Sequence, residues 1–575
     1  VRRLVVSGLV LELALLAAAS ATSAFTESRG FRDAFASSGP GWVWATFDGV
    51  RGTLSALVAG LGGPRDPTQA AAVVLVVALA VAGAAYLVAL GTDPARLLGV
   101  IVGFGLVFQI TLLAMPGLLS TDLLTYATYG RLAAVYGQNP YLSSPSAVLS
   151  DPLVQWLDTR PEHASPYGPV WTGLSVLIAW LTTGVSPLLQ ALSYRLLGAV
   201  SMLAGTAIVW RLTRDPSSVL LFGWNPLLLI EGIGNGHNDL PMMVLALGGV
   251  LLLRPARALG LRTMGMASSP AGVAAGKRPG GSARVGAGGP VPRLAAGLLV
   301  LGLAALVKYV PGLLLVYAGA ALARGRPRVV ISTAVAIVAG GIVLWLPWLA
   351  SSGPGVLLAS VSAGGERYVN ALLDLPTGWV ATHVVDRSGQ DVAAAEAAVR
   401  AWPRAIIRVL FLAYLAWELR RVWRSGRVMT ALEAATRGYL VALLLVVTQV
   451  LSWYFTWPLA VAAVLGWRST LARVAVAYAV LYLPVFYAIH ADLVPNPALL
   501  LVAWASLPLL IVPGSLRSRR ESRDATNVAR EPSAGDSATL DPRRPGEPAP
   551  VTRHLSTSRP LDVSTHDDSM TRLTQ

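Results

Sequence analysis

The stretch "LLGVIVGFGLVFQITLLAMPGLL" (97–119) carries no charge and is long enough to cross a lipid bilayer. Similar apolar runs recur along the chain, near 4–24, 70–91, 188–210, 217–232, 239–253, 293–307, 309–323, 329–350, 404–419, 431–451, 455–467, 472–490 and 497–513. A chain patterned in this way is expected to be an all-α polytopic membrane protein of about fourteen transmembrane helices. Composition agrees: 13% of the residues are charged, against about 25% in a soluble domain.

The arginines set the expected orientation. The clusters "WRLTRDP" (210–216), "RGRPR" (324–328), "LRRVWRSGR" (419–427) and "RSRRESR" (517–523) fall on one side when the spans alternate from an inside amino terminus. So does the 254–293 loop, which has seven basic residues and no acidic one. This is the bias of cytoplasmic loops, so the net charge of +15 is read as topology and not as a nucleic-acid footprint. The first run is read as a signal anchor, since many spans follow it. Residues 1–513 then form the membrane domain, with 254–293 as a flexible cytoplasmic loop. Residues 514–575, rich in Arg, Pro, Ser, Thr and Asp, form a disordered cytoplasmic tail. The same alternation leaves large extracytoplasmic loops at 120–187 and 351–402, and the polar stretch 25–69, outside. The apolar stretch 168–185 is read as a helix lying in the outer interface, because counting it as a span would spoil the arginine pattern.

Cysteine is absent, which excludes disulfides and thiolate metal sites. No Gly-rich phosphate loop of the ATPase type occurs, which argues against an ATP-driven pump. The polar residues that remain gather on the outer side. "STDLLTYATYGRLAAVYGQNPY" (120–141) sets Asp122, Tyr126, Tyr129 and Arg131 at helical spacing. "SPYGPVW" (165–171) is stiffened by two prolines and a glycine. "GWNPLLLIEGIGNGHNDLP" (223–241) joins two short apolar runs by a turn bearing His237, Asn238 and Asp239. Asp122 has two readings: a helix cap beside Ser120 and Thr121, or a functional carboxylate at membrane depth. "GHND" reads as a tight turn or as part of a site. Lys308 snorkels or binds an anion. Arg367 pairs with Glu366 or faces a ligand. Glu12 reads as structural, Glu231 is open between His237 and Lys308 as partners, and His490 reads as a loop histidine. The Trp-rich "SWYFTW" (452–457) reads as an interfacial belt or as a platform for sugar rings.

Taken together, "NPY", "SPYGPVW", "WNPLLLIEGIGNGHND", "LVKYVPGLLL" and "SWYFTWPL" resemble the actinobacterial polyprenol-phosphate-mannose-dependent α-(1→6)-mannosyltransferases, membrane enzymes of the GT-C fold. The likeness runs from about residue 70 to 510. It implies a mannose donor β-linked to polyprenyl phosphate, a lipid-linked mannan acceptor, and inversion at the anomeric carbon. Asp122 is then the expected base for the acceptor hydroxyl. Lys308 and Arg367 are expected at the donor phosphate. His237, Asn238, Asp239, Tyr126, Tyr129 and Arg131 are expected to bind phosphate or sugar. His237, Asp239, Asp122 and Glu231 could assemble a divalent site; the expectation is no metal cofactor. The rival readings are transfer of another polyprenyl-phosphate sugar, such as arabinofuranose or glucose, and a lipid-linked sugar flippase or transporter.

Overall fold

A proline preceded by a short polar residue starts five of the helices. Asp66-Pro67, Asp151-Pro152, Ser186-Pro187, Asp215-Pro216 and Asn225-Pro226 each place the polar side chain at the cap and the proline in the first turn. The proline has no N–H to lose there, and the cap oxygen takes one of the orphaned donors. Asp66 Oδ2 accepts from Gln69 N at 2.9 Å, and Asp215 Oδ1 from Ser217 N at 2.9 Å. The computed structural model describes residues 1–25, 29–157, 163–254, 291–350, 353, 392–447 and 449–494. Among these residues the chain is helical, with no β-strand.

Among the described residues, six helices are long and apolar enough to cross a membrane: Arg2–Ala21 with its 3-10 extension to Ala24, Pro67–Leu90, Pro187–Thr213, Pro327–Leu349, Val428–Val441 with its π-helical extension to Val446, and Thr470–His490. A seventh is gained if Pro216–Gly223 and Pro226–Gly234, bent by 50°, count as one span. Ile331, Val335, Val338, Ile342 and Leu346 form an exposed stripe at helical spacing along Pro327–Leu349, a face suited to lipid.

The count of about fourteen spans is not reproduced among the described residues. The runs at 239–253, 293–307, 309–323 and 455–467 are helices, but short ones: Asp239–Leu253, Val291–Ala305, Gly312–Ala323 and Thr456–Leu465. A helix of 15 residues rises only about 22 Å, short of the ~30 Å hydrocarbon layer. Each is cut by a polar or Pro-containing turn, and those turns build the site described below. The run at 404–419 is part of one longer helix, Val392–Ser425. The stretch 25–69, read as polar, contains the helices Arg29–Ser38 and Gly41–Gly60, the second burying Val43 and Phe47. The run at 497–513, the loop 255–290 and the tail lie outside the described residues.

Small residues set the packing. Arg2–Ala21 lies against Pro67–Leu90, and Ala14, Ala18 and Ala21 of the first and Ala71, Ala78 and Ala82 of the second are buried. Such stripes let backbones approach closely where lipid supplies no hydrophobic drive. A close approach that bears on function is Gly198, on Pro187–Thr213, beneath the π-helical turn Ile230–Gly234. A Cβ at Gly198 would lie 2.0 Å from the Gly232 carbonyl oxygen. Gly198→Ala is therefore expected to push the turn away at a cost of about 1–3 kcal/mol. A thermal-unfolding scan of the purified protein in detergent should show a lowered midpoint, and an unchanged midpoint would refute this contact.

Candidate active site at the Asp122–His237 junction

Two backbone segments carry the central side chains, and one buried cation ties them together. Arg195, in the midst of an apolar helix and fully buried, donates from Nε to Gly234 O at 2.8 Å and from its terminal nitrogens to the carbonyls of Met115 and Gly117. Leu119 N donates to Asn235 Oδ1 at 2.9 Å across the same seam. The 115–121 segment leads into the helix Asp122–Ala134, and Gly234 ends the π-helical turn before His237. Gly236 sits at φ +66°, in the left-handed region that glycine enters freely. From there the His237 N–H returns to Glu231 O at 3.0 Å. A π-turn of this kind is costly and is often found at functional sites.

Asp122 is the first residue of its helix, with Thr121 at the cap position making no side-chain cap bond. Ser120 Oγ accepts from Asp122 N at 3.3 Å, so the Asp122 carboxylate is not spent on capping. It lies instead 3.3 Å from His237 Nδ1, and His237 Nε2 lies 3.4 Å from Glu231 Oε2. These are charge contacts more than aligned hydrogen bonds. The imidazole stacks on the Trp453 ring, centroids 3.8 Å apart and planes 17° from parallel. His237 and Glu231 are buried, whereas the Asp122 side chain is 32% exposed. Asp122 is thus the open end of a carboxylate–imidazole–carboxylate row.

A second pair stands beside it. Lys308 Nζ lies 2.9 and 3.1 Å from the two oxygens of the buried Asp239, and Trp457 Nε1 donates to the same carboxylate. The ammonium also rests 4.7 Å from the centre of the Tyr454 ring, a cation–π contact. "SWYFTW" therefore walls the site with Trp453, Tyr454 and Trp457 and is more than an interfacial belt. "SPYGPVW" docks just before Lys308: Gly168 N donates to Val307 O at 3.0 Å, and Val170 N to Leu306 O at 3.2 Å. This brings Tyr167 edge-on to Tyr126, centroids 5.0 Å apart.

Electrostatics follow from the geometry. Burial opposes charge on Asp122, but His237, Lys308 and the Tyr126 hydroxyl outweigh it and hold its pKa below the usual carboxylate value. Burial likewise opposes charge on His237, and the Asp122 and Glu231 carboxylates overcome it, pushing its pKa up to about 9. A raised histidine is charged below its folded pKa, so the Asp122–His237 ion pair holds through neutral pH and is lost as pH climbs through about 9.

The structure gathers most of the expected residues. Tyr126 donates to Asp122 Oδ2 at 3.3 Å. Asn238 is fully buried, and among the described residues its amide atoms meet no hydrogen-bond partner. Tyr129 donates instead to the His163 carbonyl at 3.0 Å. Arg131 is not brought to the cluster: nine residues beyond Asp122 it stands about 180° round the helix. Its Nε binds Asp151 Oδ2 at 2.6 Å, which also accepts from the Tyr136 hydroxyl. Arg367 and Glu366 lie outside the described residues. Asp239, weighed as a metal ligand, is paired with Lys308, and no group of three His, Asp or Glu side chains is placed to hold a metal among the described residues. His490, expected in a loop, ends the helix Thr470–His490 with its ring tilted by 36° against Phe486, and Glu12 accepts from the Thr111 hydroxyl. Sequence reasoning missed Arg195, Ser452 and Tyr487. Arg195 had a signal, a cation in an apolar run; Ser452 and Tyr487 had none.

A family profile described as alpha-(1->6)-mannopyranosyltransferase, N-terminal domain, matches residues 33–324, a span that holds Asp122, Glu231, His237, Asp239 and Lys308. Among curated proteins the chain is 26% identical over 389 residues to alpha-(1->6)-mannopyranosyltransferase A of Mycobacterium tuberculosis (strain ATCC 25618 / H37Rv). That alignment takes in 63% of this chain, and the chain spans 65% of the relative's length. No solved structure matches.

Removing one partner of a buried ion pair strands the other, at a cost of about 3–5 kcal/mol. Lys308→Met should therefore lower the thermal midpoint sharply, and adding Asp239→Asn should recover much of the loss. Equal midpoints for the single and double variants would show that the pair is not coupled.

Proposed function

The chain belongs to the alpha-(1->6)-mannopyranosyltransferase family, and from that premise we propose that it is an inverting membrane glycosyltransferase. It moves mannose from polyprenyl-phosphate-mannose to an α-(1→6)-linked, lipid-borne mannan. The observation that carries this reading is Asp122: a part-exposed carboxylate, held ionised by a buried imidazolium, beside a lysine and a wall of aromatic rings.

The chemistry asks for little more. An acceptor hydroxyl attacks the anomeric carbon on the face opposite the phosphate. The new C–O bond forms as the old one breaks, polyprenyl phosphate departs with the electron pair, and the β-linked sugar becomes α-linked. The hydroxyl proton passes to Asp122. Because phosphate leaves readily, the leaving group needs positive charge rather than a proton. Lys308 uses two contacts on Asp239 and retains a third N–H for a phosphate oxygen, as an ammonium carries three. Arg367 is assigned to the same phosphate. Asn238, buried without a partner among the described residues, is assigned to the sugar hydroxyls, for which an amide offers both donor and acceptor. Trp453, Tyr454 and Tyr126 supply apolar faces for the pyranose ring.

The reading extends to topology: a multi-pass GT-C bundle in the plasma membrane, with the site facing outward. A donor carried by a lipid reaches such a site where soluble nucleotide sugars do not. The arginine bias of the opposite face supports it.

Membranes containing the protein should transfer labelled mannose from polyprenyl-phosphate-mannose to an α-(1→6)-mannan acceptor. Asp122→Asn should lower transfer by about 10²- to 10⁴-fold at equal protein level. Near-full activity in that variant would remove Asp122 as the base. Transfer of a different sugar, or reorientation of the lipid-linked sugar without a new glycosidic bond, would overturn the donor assignment or the transferase reading respectively.

A further inference from the structure

Glu231 has a place in the site that the reaction above does not use. It is fully buried in the π-helical turn, and donors surround both of its oxygens. Ser452 Oγ donates to Oε1 at 2.6 Å and the Tyr487 hydroxyl at 2.9 Å. Asn235 Nδ2 donates to Oε2 at 2.8 Å, and His237 Nε2 lies 3.4 Å from that same oxygen. Asn235 also donates to the Tyr487 hydroxyl at 3.1 Å, which closes a ring of contacts around the carboxylate. Three parts of the chain, 230–238, 452–455 and the end of Thr470–His490, thus converge on one acid.

We propose that Glu231 is a positioning residue: fixed by Asn235, Ser452 and Tyr487, it holds the His237 ring charged and turned toward Asp122, so that the base stays ionised and aimed at the acceptor. This role rests on the transferase reading of Asp122. The geometry supports it in three ways. The Glu231 carboxylate is fixed in place by side-chain donors from three parts of the chain. The Trp453 ring flanks the imidazole face and leaves its two nitrogens the in-plane directions, one toward each acid. The arrangement is also asymmetric in exposure: Glu231 is shut in, whereas Asp122 opens outward. A simple structural staple would not need a titratable ring placed between two acids.

Among the described residues, the charged groups that face His237 are Asp122 and Glu231. Behind Asp122 stand Tyr126 and Lys308, and behind Glu231 stands Tyr487. Lys308 is balanced by Asp239. Without the Glu231 charge, His237 is a buried ring with one carboxylate, and burial favours its neutral form. Asp122 then loses the cation that offsets its own burial.

The test uses the full-length protein in nanodiscs, with isotope-labelled histidine and the His237 signal assigned by its loss in His237→Gln. In the wild type, the signal should show a protonated ring through pH 8, given a pKa of about 9. Glu231→Gln should lower that midpoint by about one pH unit or more. It should reduce kcat by roughly tenfold to a hundredfold with donor KM within about twofold, and bring the alkaline limb of kcat down with the midpoint. Glu231→Asp, which keeps the charge, should recover part of both. A midpoint unmoved by Glu231→Gln overturns the proposal, whatever reaction the protein performs. So does a wild-type ring that titrates near its ordinary value, a result that requires no variant to fold. A shifted midpoint in a protein that transfers no sugar keeps the Glu231–His237 link and discards the transferase reading instead.

Discussion

An imidazolium between two carboxylates is the interaction on which the rest of the site depends. His237 is buried, so its charge is tolerable only because Asp122 and Glu231 lie on either side. The His237 charge in turn, with Lys308 and the Tyr126 hydroxyl, offsets the burial of Asp122. The mutual dependence explains why so much backbone is used to fix the distance between them: the Arg195 clamp, the Asn235–Leu119 bond and the π-turn all act on the same seam. Arg195 is itself a buried cation without a carboxylate among its described contacts, held by carbonyl oxygens that end or interrupt helices. Broken helices create those free carbonyls, and the arginine uses them.

The short helices have the same origin. A continuous span satisfies its own backbone and leaves nothing to bind a polar side chain. By stopping at Gly234, restarting at Asp239, and turning again at Lys308, the chain exposes polar backbone and presents side chains from helix ends at one level. The loss in length of Asp239–Leu253 and Val291–Ala305 is thus linked to the gain of a site where they meet neighbouring segments.

Much of this was legible in the sequence, and what was not has a physical reason. Apolar run length gave the helices, because burial in lipid is one-dimensional along the chain. Asp122, His237, Asp239 and Lys308 stood out because charge next to an apolar run is costly. Their pairing did not: Lys308 was equally free to meet Glu231, and only the fold brings it to Asp239, 69 positions away. Arg131 shows the opposite limit. Its helical spacing from Asp122 was visible, but nine residues is a half-turn remainder, and it faces Asp151. Ser452 and Tyr487 are ordinary residues in apolar company, and their role exists only in three dimensions.

Charge balance adds a constraint on how a donor binds. The described cluster holds three acids, Asp122, Glu231 and Asp239, against two cations, His237 and Lys308. The polyprenyl phosphate proposed as donor would bring further negative charge to this cluster, behind which the buried Arg195 is a further described cation. Two of the Lys308 protons are engaged with Asp239, so sharing the third with phosphate redistributes its attraction without adding charge. A cation added to this cluster would suit the proposed donor, and an arginine fork matches two phosphate oxygens. Arg367, in the other long polar stretch, fits that role by residue type. On the proposed reading, the donor phosphate would share the Lys308 ammonium with Asp239, and Asp122 would stay paired with His237 while it meets the acceptor.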